Sequence, residues 1–171
     1  IAFGGEAQAA ARSLAGLGTA VLIAVFGILA VLILEFGNFR STLIVAGVIP
    51  FGILGALVAL FLSGYTLSYV AIIGFVALIG VEIKNSILLV DFTNQLRRDG
   101  MALRPAIEQA GELRFLPVLL TSITAIGGLT PLALADSALY SPLAVVMIGG
   151  LISATLLARI VTPVMYSLLP P

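Results

Sequence analysis

The sequence predicts an all-α fold, a polytopic bundle of membrane helices, and three observations carry that expectation. Of 171 residues, 61% are hydrophobic and 9% are charged, whereas a soluble domain carries about 25% charged residues. The mean hydropathy is +1.24. Apolar runs of about 20 residues, long enough to cross a hydrocarbon core, recur between short polar turns. The reading is five transmembrane helices plus a short amphipathic surface helix, with no soluble domain. Cysteine and histidine are absent, which excludes disulfides, thiolate metal sites and imidazole ligands. Most of the catalytic repertoire goes with them, so neither an enzyme nor a cofactor is expected. Zero formal net charge argues against nucleic acid and leaves the lipid bilayer as the main environment.

Residues 1–13, with Glu6, Gln8 and Arg12, are small and polar and read as a loop or helical approach outside the lipid. They lack the basic leader and initiating Met of a signal peptide, and look like the interior of a longer protein. The first span covers 14–34, where Gly16, Ala20 and Ala24 form a small-residue stripe suited to close helix packing. After a turn over 35–41, the second span covers 42–62. It holds Pro50 between Gly47 and Gly52, and a proline inside a helix predicts a kink there. Ser63 to Thr66 make a loop, with Tyr65 and Tyr69 placed for an interface belt.

The third span, 68–92, organises the chain. A polar stretch follows over 93–113. Within it Ala102, Leu103, Ala106, Ile107 and Ala110 share one helical face, with Arg104 and Glu108 on another. That pattern predicts a surface helix over 102–111, with Pro105 in its first turn and Gly111 as its end. The fourth span covers 115–135, starting near Pro117 and loosened at its far end by Gly127, Gly128 and Pro131. The fifth covers 143–168, with Gly150, Ala154 and Ala158 again at four-residue spacing.

Basic residues set the expected orientation. Arg40, Arg97, Arg98 and Arg104 follow spans one and three, while the loops after spans two and four carry no Lys or Arg. The positive-inside rule puts the former loops and the C-terminus in the cytoplasm. Arg159 agrees; Arg12 is the exception.

Lys84 is the residue that asks for a function. An ionisable side chain near the bilayer centre costs about 2.5–3.5 kcal/mol on insertion scales, and by default marks a site with a facing partner. Asp91 lies two turns on, about 10 Å along the same face, with Ala77 and Gly80 also on that face. Glu82 points nearly the opposite way and cannot easily pair with Lys84 within the helix. It requires a second polar interface, a protonated carboxyl or a water-filled cleft. Thr121, Ser122 and Thr124 of the fourth span supply hydroxyls, and Thr121 matches Lys84 in depth. A cluster of Lys84, Thr121 and Asn85 would still lack a carboxylate at that level, which implies helices beyond these five. Simpler readings remain beside these. Lys84 could snorkel to the interface, Asp91 could cap or solvate a helix end, and Thr121 could bond back to its own helix.

The stretch LEFGNFRSTLIVAGVIPFGILGALVALFLSGYTLSYVAIIGFVALIGVEIKNSILLVDFTNQLRRDG, with the later RFLPVLLTSITAIGGLTPLAL, strongly resembles the resistance–nodulation–division (RND) transporters, in their hydrophobe/amphiphile efflux branch. The most specific pieces are the kinked IP-F-x-x-x-G-A, GxxxKNxILLVDF and R-x-x-P-x-x-x-T-S. The resemblance implies the last five of twelve transmembrane helices, the eighth to the twelfth, with residues 1–13 ending a periplasmic segment. It implies a proton relay carried here by Lys84, Thr121 and Arg114, with Asn85 completing the Lys-Asn pair. The relay's two aspartates belong to a helix outside this sequence, and Glu82 departs from the small or apolar residue expected at its position. The implied function is drug/proton antiport in the bacterial inner membrane. The implied partners are the other half of the transporter with its porter domain, a homotrimeric assembly, a periplasmic adaptor and an outer-membrane channel. A related bundle for protein or lipid export, or a structural membrane module without transport, are the alternatives.

Overall fold

The structure, a computed structural model, describes residues 4–168, with side chains from residue 16 onward except 17, 158 and 159. Every regular element among them is a helix: α1 Gly4–Phe36, α2 Phe39–Ala46, α3 Ile49–Leu62, α4 Tyr69–Arg98, α5 Leu103–Leu134 and α6 Ser141–Leu168. Four stretches are long and apolar enough to cross a membrane: Gly18–Phe36, Phe39–Leu62, Tyr69–Arg98 and Leu103–Leu134. A fifth arises if Ser141–Leu157 and Ile160–Leu168, bent by 54°, count as one span. The all-α membrane bundle expected from composition is what forms.

The chain divides into two compact units, Ile1–Gly37 and Asn38–Pro171. The first is α1. It begins at Gly4, so most of the stretch read as a polar approach is helical, and Gly16 has open space around it. In the second unit α6 is the common partner, packing most extensively on α3 and then on α5 and α4. Ala56, Leu60, Ala71, Leu78, Val146 and Leu151 form its core. Small residues set the approach of α3 and α6: a Cβ on Gly149 would meet the Ala59 side chain and lie 2.8 Å from the Gly55 carbonyl oxygen. Of the predicted stripe, Ala154 is buried in this seam, while Gly150, also buried, faces Leu78 of α4. Ala158 lies outside the described side chains. Ser153 Oγ donates to the Phe51 carbonyl, 2.8 Å away, across the same contact.

Two expectations are corrected. The second span does not kink at Pro50; it breaks at Gly47–Val48, and Pro50 falls in the first turn of α3. There the missing N–H is one that a helix start leaves unbonded anyway. The ring instead excludes a helical carbonyl four residues back, at Ala46, where α2 ends. The surface helix over 102–111 is also not a separate element. It is the first third of α5, which runs unbroken through Gly111, Pro117 and Pro131 to Leu134. A lone glycine weakens a helix by about 1 kcal/mol without ending it. Moreover, Ala106 and Ala110 are fully buried, so the amphipathic face packs on protein.

Turn chemistry explains the remaining ends. Ser68 caps α4 by accepting from the Ala71 N–H at 3.2 Å. Gly64 and Gly100 take positive φ, 72° and 91°, at the end of α3 and just past α4, which a side chain would resist. Ser141 accepts from the Ser137 N–H and donates to the Leu132 carbonyl, tying the end of α5 to the start of α6.

Candidate functional site

Helical periodicity divides α4 into two faces with different contents. Ala71, Gly74, Leu78, Glu82, Ser86, Val90 and Thr93 recur every three or four residues and are buried. On the other side Ile73, Ala77, Gly80, Lys84, Leu88 and Asp91 are exposed. The lysine thus shares its face with Asp91, Ala77 and Gly80, as its spacing predicts, and a Cβ on Gly80 would meet nothing within 4 Å.

Glu82 lies on the packed side, 4% exposed. A Cβ on Gly52 of α3 would lie 3.4 Å from Glu82 Cγ and 3.7 Å from the Ala154 Cβ of α6. The carboxyl-bearing side chain therefore fills the gap between α3 and α6 that glycine and alanine leave.

A partly enclosed cleft, with about 70 Å³ open to water-sized molecules, begins at this residue and is lined by α4, α5 and α6. From α4 come Glu82, Asn85, Ser86 and Thr93; from α5 come Gly111 and Arg114; from α6 come Thr155, Thr162 and Tyr166. The Thr162 hydroxyl is buried without a hydrogen-bond partner, an arrangement that leaves a polar group's desolvation uncompensated unless water reaches it. Ser122 and Thr155 share a 2.7 Å hydrogen bond between α5 and α6. Toward the end of α4, the Tyr166 hydroxyl donates to Asn94 Oδ1, and Asn94 Nδ2 donates to Ser41 Oγ at 3.4 Å. Three helices meet at that one amide. Arg97 and Arg98 lie close to the same phenol.

The residues singled out by sequence fall into two groups. Glu82, Asn85 and Arg114 line the cleft, the Arg114 guanidinium lying 4.8 Å above the Phe92 ring centroid, a cation–π distance. Lys84, Thr121 and Asp91 are exposed instead. Among the described residues no hydrogen bond or ion pair links Lys84 to Thr121 or Asn85. The Thr121 hydroxyl bonds back to the Pro117 and Val118 carbonyls at 2.6 and 3.0 Å. Sequence reasoning missed the α6 hydroxyls. Their signal was present, since Thr155, Thr162 and Tyr166 are seven and four residues apart and so share a face.

Residues 1–170 match the family model described as the AcrB/AcrD/AcrF family. The swarming motility protein SwrC of Bacillus subtilis (strain 168) is 38% identical over 170 residues, 97% of this chain and 16% of that protein. The cobalt-zinc-cadmium resistance protein CzcA of Cupriavidus metallidurans is 36% identical over 151 residues, covering 86% of this chain and 14% of that one. Among solved structures, the chain is similar to a heavy metal efflux pump in two crystal forms. One form gives a TM-score of 0.83 at 34% identity over 94% of this chain and 16% of the pump. The other gives 0.77 at 35% identity, over 96% and 16%. The chain thus spans between 14% and 16% of the length of these relatives.

Proposed function

Because this chain belongs to the AcrB/AcrD/AcrF family of RND transporters, we propose that it is part of the membrane domain of a proton-driven efflux pump, with Lys84 central to proton coupling. The observation that carries this reading is the exposed face of α4. A helix apolar enough to cross a membrane presents Lys84 and Asp91 on a stripe otherwise made of apolar and small residues. Facing lipid, that lysine would cost about 2.5–3.5 kcal/mol. Facing another helix with a carboxylate, it is an ion pair that protonation can break. The helix that covers it belongs, in this reading, to the rest of the transporter, of which this chain's length is a small share.

In the proposed relay Lys84 holds the carboxylates in one state and releases them when they take up protons. Thr121, Asn85 and Arg114 orient and hydrate that exchange. Proton entry across 100 mV supplies about 2.3 kcal/mol per charge, and motion of one helical repeat against the other would transmit it to the porter region. The membrane is the bacterial inner membrane, with the end of α4 that carries Arg97 and Arg98, and the C-terminus, in the cytoplasm. The working assembly is a homotrimer with a periplasmic adaptor and an outer-membrane channel.

The cargo has two readings. The KNxILLVDF segment supports the drug-efflux branch. The names of CzcA and of the solved pump support a metal cation. With neither cysteine nor histidine here, metal ligands of those types would have to lie outside this segment.

Efflux assays on the full-length transporter test the central claim. Lys84→Ala and Lys84→Met are expected to reduce resistance to that of cells without the pump, at unchanged membrane abundance. Normal resistance in either variant would sink it.

A further inference from the structure

Glu82 has no task in the relay built on Lys84, yet it is the more deeply placed charge. It is 4% exposed and packed against Gly52 and Ala154. Among the described residues its carboxyl has no hydrogen bond or ion pair. An isolated ionised carboxylate in such a place is unfavourable, and taking up a proton removes the charge.

The surroundings supply a route for that proton. From Glu82 to Thr93, eleven residues, the cleft follows α4 for about 16 Å at 1.5 Å per residue toward the end where Arg97 and Arg98 stand. Its lining is largely apolar, with Leu89, Ile107, Phe115 and Val118. Into it Ser86 and Thr93 of α4 and Thr155 and Thr162 of α6 bring side chains with hydroxyls, groups able to donate and accept. The cleft leaves about 70 Å³ open to water-sized molecules, several times the roughly 10–15 Å³ that one water needs on that measure. Thr162, whose hydroxyl is buried without a hydrogen-bond partner, is one more polar residue of that lining.

We infer that this cleft is a second proton path, a hydrated half-channel in which Glu82 exchanges a proton with the basic end of the bundle. In the loading step a hydronium in the cleft gives its proton to a Glu82 carboxylate oxygen, leaving a neutral carboxyl and a water; release is the reverse. Beside Glu82, α3 presents the uncharged Gly52 and α6 the uncharged Ala154; the other titratable groups lining the cleft, Arg114 of α5 and Tyr166 of α6, stand at its far end by Phe92 and Asn94. Lys84 of its own helix lies on the far side. The use of this path in transport rests on the proton-driven reading above; the site itself does not.

The test uses the full-length transporter in lipid vesicles. A protonated-carboxyl C=O band that titrates with pH should disappear in the infrared spectrum of Glu82→Gln. It should shift in Glu82→Asp and persist in Lys84→Ala. In a transporter freed of cysteines, Ser86→Cys should react with a membrane-impermeant thiol reagent added on the Arg97 side and not from the opposite side. An unchanged band in Glu82→Gln, or an unreactive Ser86→Cys, overturns the inference. If both site results hold while Lys84→Ala transports normally, the relay reading fails and the cleft assignment stands.

Discussion

Glu82 and Lys84 stand two residues apart on α4 and point to opposite sides of it, the carboxyl into the seam between Gly52 and Ala154, the lysine outward. Two residues along a helix is about 200° of rotation, so the pair cannot neutralise itself. Each charge therefore needs its own environment. Because Lys84 is exposed and makes no hydrogen bond or ion pair among the described residues, its truncation should stop transport without loosening the helices described here. Glu82 is the reverse case, a charge embedded in the packing.

Thr121 separates a relay role from a structural one. Its hydroxyl already bonds to its own helix at Pro117 and Val118, which a purely structural threonine would also do. Under the relay reading, Thr121→Ser retains efflux and Thr121→Val lowers it by an order of magnitude or more. Wild-type efflux in Thr121→Val, at equal abundance, would reduce the residue to a helix-backing role.

The seam between α3 and α6 depends on glycine. Gly149→Ala places a Cβ against the Ala59 side chain and 2.8 Å from the Gly55 carbonyl oxygen. Overpacking of this kind costs about 1–3 kcal/mol, and should lower the thermal midpoint of the detergent-solubilised transporter. Gly111→Ala, with no atom within 4 Å of the new Cβ, should be neutral or gain up to about 1 kcal/mol from helix propensity. Equal midpoints for the two variants would contradict this packing.

Tyr166 ties the end of α6 to α4 through the Asn94 amide. Tyr166→Phe keeps the ring, which is 1% exposed, and removes the donor. The expected cost is about 1 kcal/mol, and a second change, Asn94→Leu, should add less to Tyr166→Phe than to the wild type. Additive losses would show that the two groups act separately.

Ser122 and Thr155 offer a direct measure of one hydrogen bond between membrane helices, with oxygens 2.7 Å apart. A double-mutant cycle with Ser122→Ala and Thr155→Val should return a coupling of about 0.6 kcal/mol, the average for such bonds in a membrane protein. A value indistinguishable from zero would remove this contact from the account of how α5 meets α6.

Much of this was legible from spacing. Apolar run lengths located the membrane-crossing segments, and a period of 3.6 placed Lys84 with Asp91 and away from Glu82. Ser63 to Thr66 marked the loop between α3 and α4, where Gly64 takes a positive φ. Local chemistry was read too strongly at Gly111 and Pro50, whose outcomes depended on the chain around them. Gly111 stayed helical because the face beside it packs on protein, and Pro50 became a helix start because Gly47 and Val48 allowed the break to fall earlier.

Sequence alone determined that the chain is a set of membrane helices with one misplaced-looking lysine and one carboxylate facing away from it. Only the tertiary structure decided what Glu82 faces, because Gly52, Ala154, Thr155 and Thr162 come from helices distant in the chain. The physical reason is the solvent. In water, apolar faces identify the core; in lipid every face is apolar, and burial no longer sorts one helix surface from another. Contacts are then chosen by small residues that let backbones approach and by polar groups that find one another. Those choices are made between helices, where periodicity along a single one says nothing.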